Sequence, residues 1–231
     1  MKKSKRILKC VMTVILAVAV MAGAGPIMNS TAYASSYYET YLVTSADNYQ
    51  TLPGKVVHFN NYDWYIIADD STAADAGTVT LFAKDIMGTS RFNLRYHGNA
   101  YNGSSIEAYL DNLVSTSFLE MADAIVSVDL QDVNVTGAKL WLLSTSEAER
   151  LNTETRKCAS KTNWWLRTPV SPSVMGVDGN NGGFFKASYL PDVDMDLGVR
   201  PALKLDLSMV EFNSAAKTFS AIGQADPTVR D

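Results

Sequence analysis

The chain has 231 residues, with 20 Lys+Arg, 24 Asp+Glu and two cysteines, and a formal net charge of −4. An acidic balance repels phosphate backbones and anionic lipid headgroups, which sets aside general nucleic-acid binding and electrostatic attachment to membranes. Two cysteines are too few for a disulfide scaffold, so stability has to come from packing.

The first residues, Met1-Lys2-Lys3-Ser4-Lys5-Arg6 with Lys9 just beyond, are positive and contain no acid. The apolar run from Val11 to Ala24 is shorter than the ~20 residues a membrane-spanning helix needs. Gly25-Pro26 ends it, and Ala32-Tyr33-Ala34 supplies the small-x-small pattern that a signal peptidase accommodates. Residues 1–34 therefore read as a secretory signal peptide cleaved after Ala34, with an uncleaved N-terminal anchor as the alternative. The expectation is a secreted, extracellular protein with no stable membrane insertion after cleavage. Residues 1–34 hold five of the 20 basic residues and none of the 24 acidic ones, so the remainder carries a net charge of −9. Cys10 leaves with the signal, and Cys158 then has no partner for an intramolecular disulfide.

Residues 35–54 form a lead-in or linker in which Tyr37, Tyr38, Tyr41 and Tyr49 can pack on the adjoining domain. One α+β domain is expected over residues 55–222. Lys55–Phe59 and Tyr62–Ala68 are β-rich runs separated by Asn60-Asn61, a strong turn signal, and read as a hairpin. Thr78–Ala83 continues an antiparallel meander. Ser104 with Glu107 fits a capping box, and Ile106, Tyr109, Leu110 and Leu113 come after it at helical spacing. Ser117 with Glu120 repeats the pattern ahead of Phe118, Met121, Ala122 and Ile125, which predicts a second short helix. Val126–Val133 alternates like a strand, and Ala138–Leu143 is a continuous apolar run of the kind buried on both faces. Ser144 to Glu149 offers overlapping capping boxes for a third helix ending near Asn152.

From Trp164 onward two apolar strands, Trp164–Leu166 and Val199–Leu205, frame an irregular segment rich in Gly, Asp, Asn and Pro. A connection of that length inside a domain usually carries function. Met209–Asn213 and Lys217–Ile222 are set to form a closing hairpin, ahead of a flexible tail over residues 223–231.

The segments LWLLSTSEAE (Leu140 to Glu149), NWWLRTP (Asn163 to Pro169) and GVRPALKL (Gly198 to Leu205) resemble a family of secreted bacterial domains of unknown function. YDWYII (Tyr62 to Ile67) and SSIEAYL (Ser104 to Leu110) match the same layout, so the resemblance covers roughly residues 55–207. That family is similar, at a distance, to the C-type-lectin-like fold shared with formylglycine-generating, sulfatase-modifying enzymes. The resemblance implies short helices packed on a small twisted antiparallel sheet, with a long irregular C-terminal loop region carrying recognition. Formylglycine-generating enzymes oxidise through a cysteine pair, and Cys158 stands alone, which argues against that activity.

The candidate ligand-binding residues are Trp165, Arg167, Asp178, Asn180, Asn181 and Tyr189, because indole and phenol rings stack on sugars while Arg, Asp and Asn bind hydroxyls. Adjacent tryptophans in a strand point to opposite faces, so at most one of Trp164 and Trp165 can line a site. Arg167 and Arg200 also read as structural cations that satisfy carboxylates or loop carbonyls. Asp192, Asp194 and Asp196 alternate along an extended segment and would place three hard oxygen ligands on one side, a candidate calcium site. His58 and His97 sit in no recognisable catalytic motif, and Cys158, between Lys157 and Lys161, reads as an unpaired small residue after a helix, with a thiol activated by those cations as the alternative. The expectation is a non-catalytic domain that binds a glycan or an extracellular protein. A secreted hydrolase and a structural module of the cell envelope are the alternatives.

Overall fold

In the computed structural model the described residues are 36–94, 97–170, 173–184 and 194–222. The expected signal peptide and tail, with Tyr189 and Asp192, lie outside them.

The architecture grows from one hairpin. Strand β1 (Val56–Phe59) and β2 (Tyr62–Asp69) pair antiparallel around Asn60-Asn61. Both asparagines have φ near the left-handed region, at 50° and 63°. A two-residue type I′ turn requires positive φ at both central positions, and asparagine tolerates it best after glycine. The turn fixes the register, so Val56 faces Tyr65, Val57 faces Trp64, His58 faces Asp63 and Phe59 faces Tyr62. Alternation then splits the hairpin into two faces. Val57, Phe59, Trp64 and Ile66 are fully buried in the main core, and the Trp64 indole nitrogen donates to the Phe59 carbonyl at 2.9 Å.

Strand β3 (Thr78–Ala83) continues the meander on β2. The short helix α1 (Leu52–Lys55) leads directly into β1. β4 (Thr89–Arg91) precedes helix α2 (Ser105–Thr116), whose N-cap Ser104 accepts from the Glu107 amide. The Glu107 carboxylate returns to the Gly103 amide, one residue beyond the cap's own. The expected second helix is a 3₁₀ segment, Leu119–Ala124. Ser117 is the C-cap of α2 instead of a new N-cap, and the buried positions Phe118, Met121 and Ala124 recur every three residues, the 3₁₀ period.

The expected strand over 126–133 is broken into β5 (Ile125–Val126) and β6 (Val128–Leu130), and β6 pairs with β7 (Val135–Ala138). β8 (Trp141–Leu142) is buried on both faces, as its composition predicts. α3 (Thr145–Glu149) carries a complete capping box between Ser144 and Glu147. A further short helix, α4 (Thr153–Arg156), is capped by Asn152, the residue at which the sequence pattern marks a helix end.

β9 (Trp164–Val170) and β10 (Ser173–Val177) are antiparallel neighbours. β11 (Asp196–Gly198), β12 (Pro201–Asp206), β13 (Val210–Asn213) and β14 (Thr218–Ala221) complete the described chain. The main sheet has eight strands in the order β13-β14-β1-β2-β3-β12-β5, with β8 also on β12. A second sheet runs β10-β9-β11-β4, and β6-β7 form a third.

The fold is thus mixed and mostly sheet, with few short helices. It departs from the expected small antiparallel sheet in two ways. The main sheet is large, and β1 pairs with β14 in parallel, which joins the first strand of the sheet to the last. Part of the segment expected to be irregular is also strand, because Val174 and Val177 have the core to fill. All described residues belong to one compact unit, and the lead-in joins it through Tyr38, which is fully buried and packs against Phe212 and Phe219. No helix among the described residues is long and apolar enough to cross a membrane.

Candidate functional site

The motif residues are interior. Trp164 and Trp165 are both fully buried. The Trp165 ring meets Phe92 edge-on at 5.6 Å, and its indole nitrogen donates to the Ser90 carbonyl at 2.8 Å. Neither indole offers a face to a ligand in this structure.

Arg167 donates to both carboxylate oxygens of Asp132, to Glu147 and to the Leu142 carbonyl. Burial alone would lower its pKa, but the hydrogen bonds and charges of Glu147 and Asp132 outweigh it and leave a net rise. Arg200 is held by carbonyls instead. Its guanidinium donates to those of Ala83, Arg156 and Thr155 at 2.7, 2.8 and 2.8 Å and lies over the Phe82 ring at 4.3 Å. Burial pushes it down to about 10, still charged at neutral pH. Both arginines tie elements together, as carboxylate and carbonyl clamps respectively. The glycine of the same GVRPAL stretch is steric: a Cβ at Gly198 would stand 2.4 Å from Ile86 Cδ1, where β11 meets β9 and β4.

The Asp178 carboxylate accepts from the amides of Asn180 and Asn181 and from Asn181 Nδ2, which closes the turn on itself. Asp194 is half-buried in a turn, and Asp196 is exposed on β11, 3.9 Å from Arg91 on the facing strand β4. No group of three His, Cys, Asp or Glu side chains converges as metal ligands among the described residues. His97 is exposed. Cys158 is buried, its thiol 3.3 Å from the Thr162 carbonyl.

A different place brings chemistry together. The outward face of the β1–β2 hairpin carries Val56, His58, Asp63 and Tyr65, two cross-strand pairs side by side, and all four line a cleft of about 480 Å³. Small-molecule sites are commonly about 300–1,000 Å³. Tyr49, Leu52 and Pro53, from the lead-in and α1, form one wall. Lys84, Glu154 and Lys217 reach it from the end of β3, from α4 and from the β13–β14 turn.

At its centre the Asp63 carboxylate lies 2.8 Å from His58 Nδ1 and 2.7 Å from Lys84 Nζ. Burial alone would raise the Asp63 pKa, but the Lys84 hydrogen bond and charge, then His58, hold it below its ordinary value. An ionised carboxylate can only accept, so Nδ1 carries the hydrogen. Nε2 has no partner among the described residues. Burial raises the Tyr65 phenol against the opposing charges of Arg200 and Lys84, so it stays neutral as a donor.

Lys217 stands apart. Its backbone is left-handed, φ 55°, a conformation costing a non-glycine residue roughly 1–2 kcal/mol. Its carbonyl accepts from the His58 amide at 2.8 Å, fixing it beside the histidine, and its ammonium donates to the Gly54 carbonyl at 2.9 Å.

None of the candidate ligand residues that fall among the described ones lines this cleft. The signal is present in the sequence all the same: a two-residue turn at Asn60-Asn61 places residue 58 opposite 63, and pairing the hairpin on paper finds the His–Asp contact.

Residues 126–207 match a family profile described as a domain of unknown function (DUF6273). No curated protein and no solved structure matches the chain.

Proposed function

We propose that this chain is an extracellular, non-catalytic binding domain of C-type-lectin-like organisation, and that the cleft on the β1–β2 hairpin is its glycan site. The observation that carries the reading is the composition of that cleft. Tyr49 is 72% exposed and offers an open ring face. Beside it stand a tyrosine hydroxyl, an imidazole nitrogen without a partner among the described residues, two ammonium groups and two carboxylates. Saccharides are bound by this combination, ring stacking on the apolar face and convergent donors and acceptors on the hydroxyls.

Binding fits better than hydrolysis. No serine, threonine or cysteine is among the described residues lining the cleft, and Asp63 is held ionised by two partners, which unsuits it for general acid work.

A glycan array probed with the protein and with its Tyr49→Ala and His58→Ala variants tests the reading. Saccharide binding that both substitutions weaken is expected. Binding that neither changes moves the site elsewhere, and a protein that binds no saccharide removes the function.

A further inference from the structure

We propose that the ligand is an acidic saccharide and that Lys217 binds its carboxylate; this rests on the cleft being a saccharide site. Among the described residues the charges around the cleft pair off except at one point. Lys84 is held by Asp63 at 2.7 Å, and Glu154 by Lys157 at 2.6 Å. The Lys217 ammonium has the Gly54 carbonyl, a neutral partner. With Lys157, outside the lining, paired to Glu154, the Lys217 ammonium is the one cation of the described lining without a carboxylate partner, on a chain whose formal net charge is −4. A positive point on an acidic protein selects for anionic ligands and rejects cationic ones.

The backbone supplies a second, independent argument. Lys217 occupies a left-handed position in the β13–β14 turn, φ 55°, where glycine is free of the steric conflict that any Cβ meets. Strain held at a residue whose side chain lines a cleft points to a role for that side chain. The hydrogen bond from the His58 amide to the Lys217 carbonyl, 2.8 Å, sets the backbone of this turn residue beside His58 on β1. A uronate ring fits this placement, with its hydroxyls toward His58 and Tyr65 and its carboxylate at Lys217. The contact is a charge-assisted hydrogen bond.

The test is calorimetric titration of the protein with a galacturonic acid tetramer and with the same tetramer as its neutral methyl ester. The acid is expected to bind about tenfold or more tighter, the range of one hydrogen bond to a charged group, and the preference is expected to shrink in high salt. K217G is expected to lose that preference while melting at or above the temperature of the parent, because the turn is relieved of strain. K217R is expected to keep it. Equal binding of acid and ester, or K217G binding the acid like the parent, overturns the assignment and leaves the saccharide reading standing. Binding of neither tetramer by a protein that binds other glycans on the array overturns the acidic-saccharide assignment alone, and binding of an acidic peptide with no saccharide bound overturns both.

Discussion

The segment that matches a known profile and the cleft that carries the chemistry are different parts of the molecule. Residues 126–207 hold both motif tryptophans and both clamp arginines, and all four side chains are buried. Of the ten described residues lining the cleft only Glu154 falls in that segment. The others come from the lead-in, the first hairpin, the end of β3 and the last turn. The matched sequence signature is thus explained here by scaffold, and the proposed recognition falls on parts of the chain that lie outside it.

The strongest challenge to that division is Trp165→Ala. Removing a fully buried indole should cost about 4 kcal/mol, read as a fall in the urea midpoint, with saccharide affinity of the folded fraction unchanged. A specific loss of affinity at full stability would put Trp165 back in the site. Arg200→Met sharpens the comparison by testing the link between the regions. It leaves three carbonyls without their donor and should cost about 3 kcal/mol. Because Ala83 and Thr155 adjoin Lys84 and Glu154, it should also weaken binding, which Trp165→Ala should not.

Tyr49→Ala reverses the pattern, with stability within about 0.5 kcal/mol of the parent and binding reduced by about 1 kcal/mol, the value of a stacked ring. The smallest effect is titrimetric. Asp63 has its pKa lowered by folding, so its contribution is present above the ordinary carboxyl value of about 4 and is lost as pH falls through the lowered one. The carboxylate is 42% exposed, and the difference between the parent and Asp63→Asn across that window should stay below about 1 kcal/mol. A crossing of the two stability curves in the opposite sense would contradict the ion-pair geometry.

Legibility in the sequence depends on how local each determinant is. The Asn60-Asn61 turn, the caps at Ser104 and Ser144 and the strand at Thr78–Ala83 are written within a few residues, and the structure has them there. The 3₁₀ segment after α2 reads as α-helix in the sequence because Phe118, Met121 and Ile125, spaced three and four apart, fit a 3.6 period, while Phe118, Met121 and Ala124 fit a 3.0 period equally well and are the set the 3₁₀ segment follows. The parallel pairing of β1 with β14 joins residues about 160 apart, and nothing local encodes it.

The site shows the same limit. Trp165 and Arg167 are suggestive as residue types, yet burial decides whether a ring can stack, and burial is set by the whole sheet. Lys217 lies far along the chain from His58, and the β1–β14 register is what makes them neighbours. His58 and Asp63, five residues apart, are within reach of the hairpin's own register.

The most direct test of the central claim is an NMR titration of isotope-labelled protein with the galacturonic acid tetramer. Amide shift changes are expected around Tyr49, His58, Asp63 and Lys217 that saturate together, with the Asp178–Asn181 turn unaffected. Changes confined to the Asp178–Asn181 turn, or no changes at all, would contradict it.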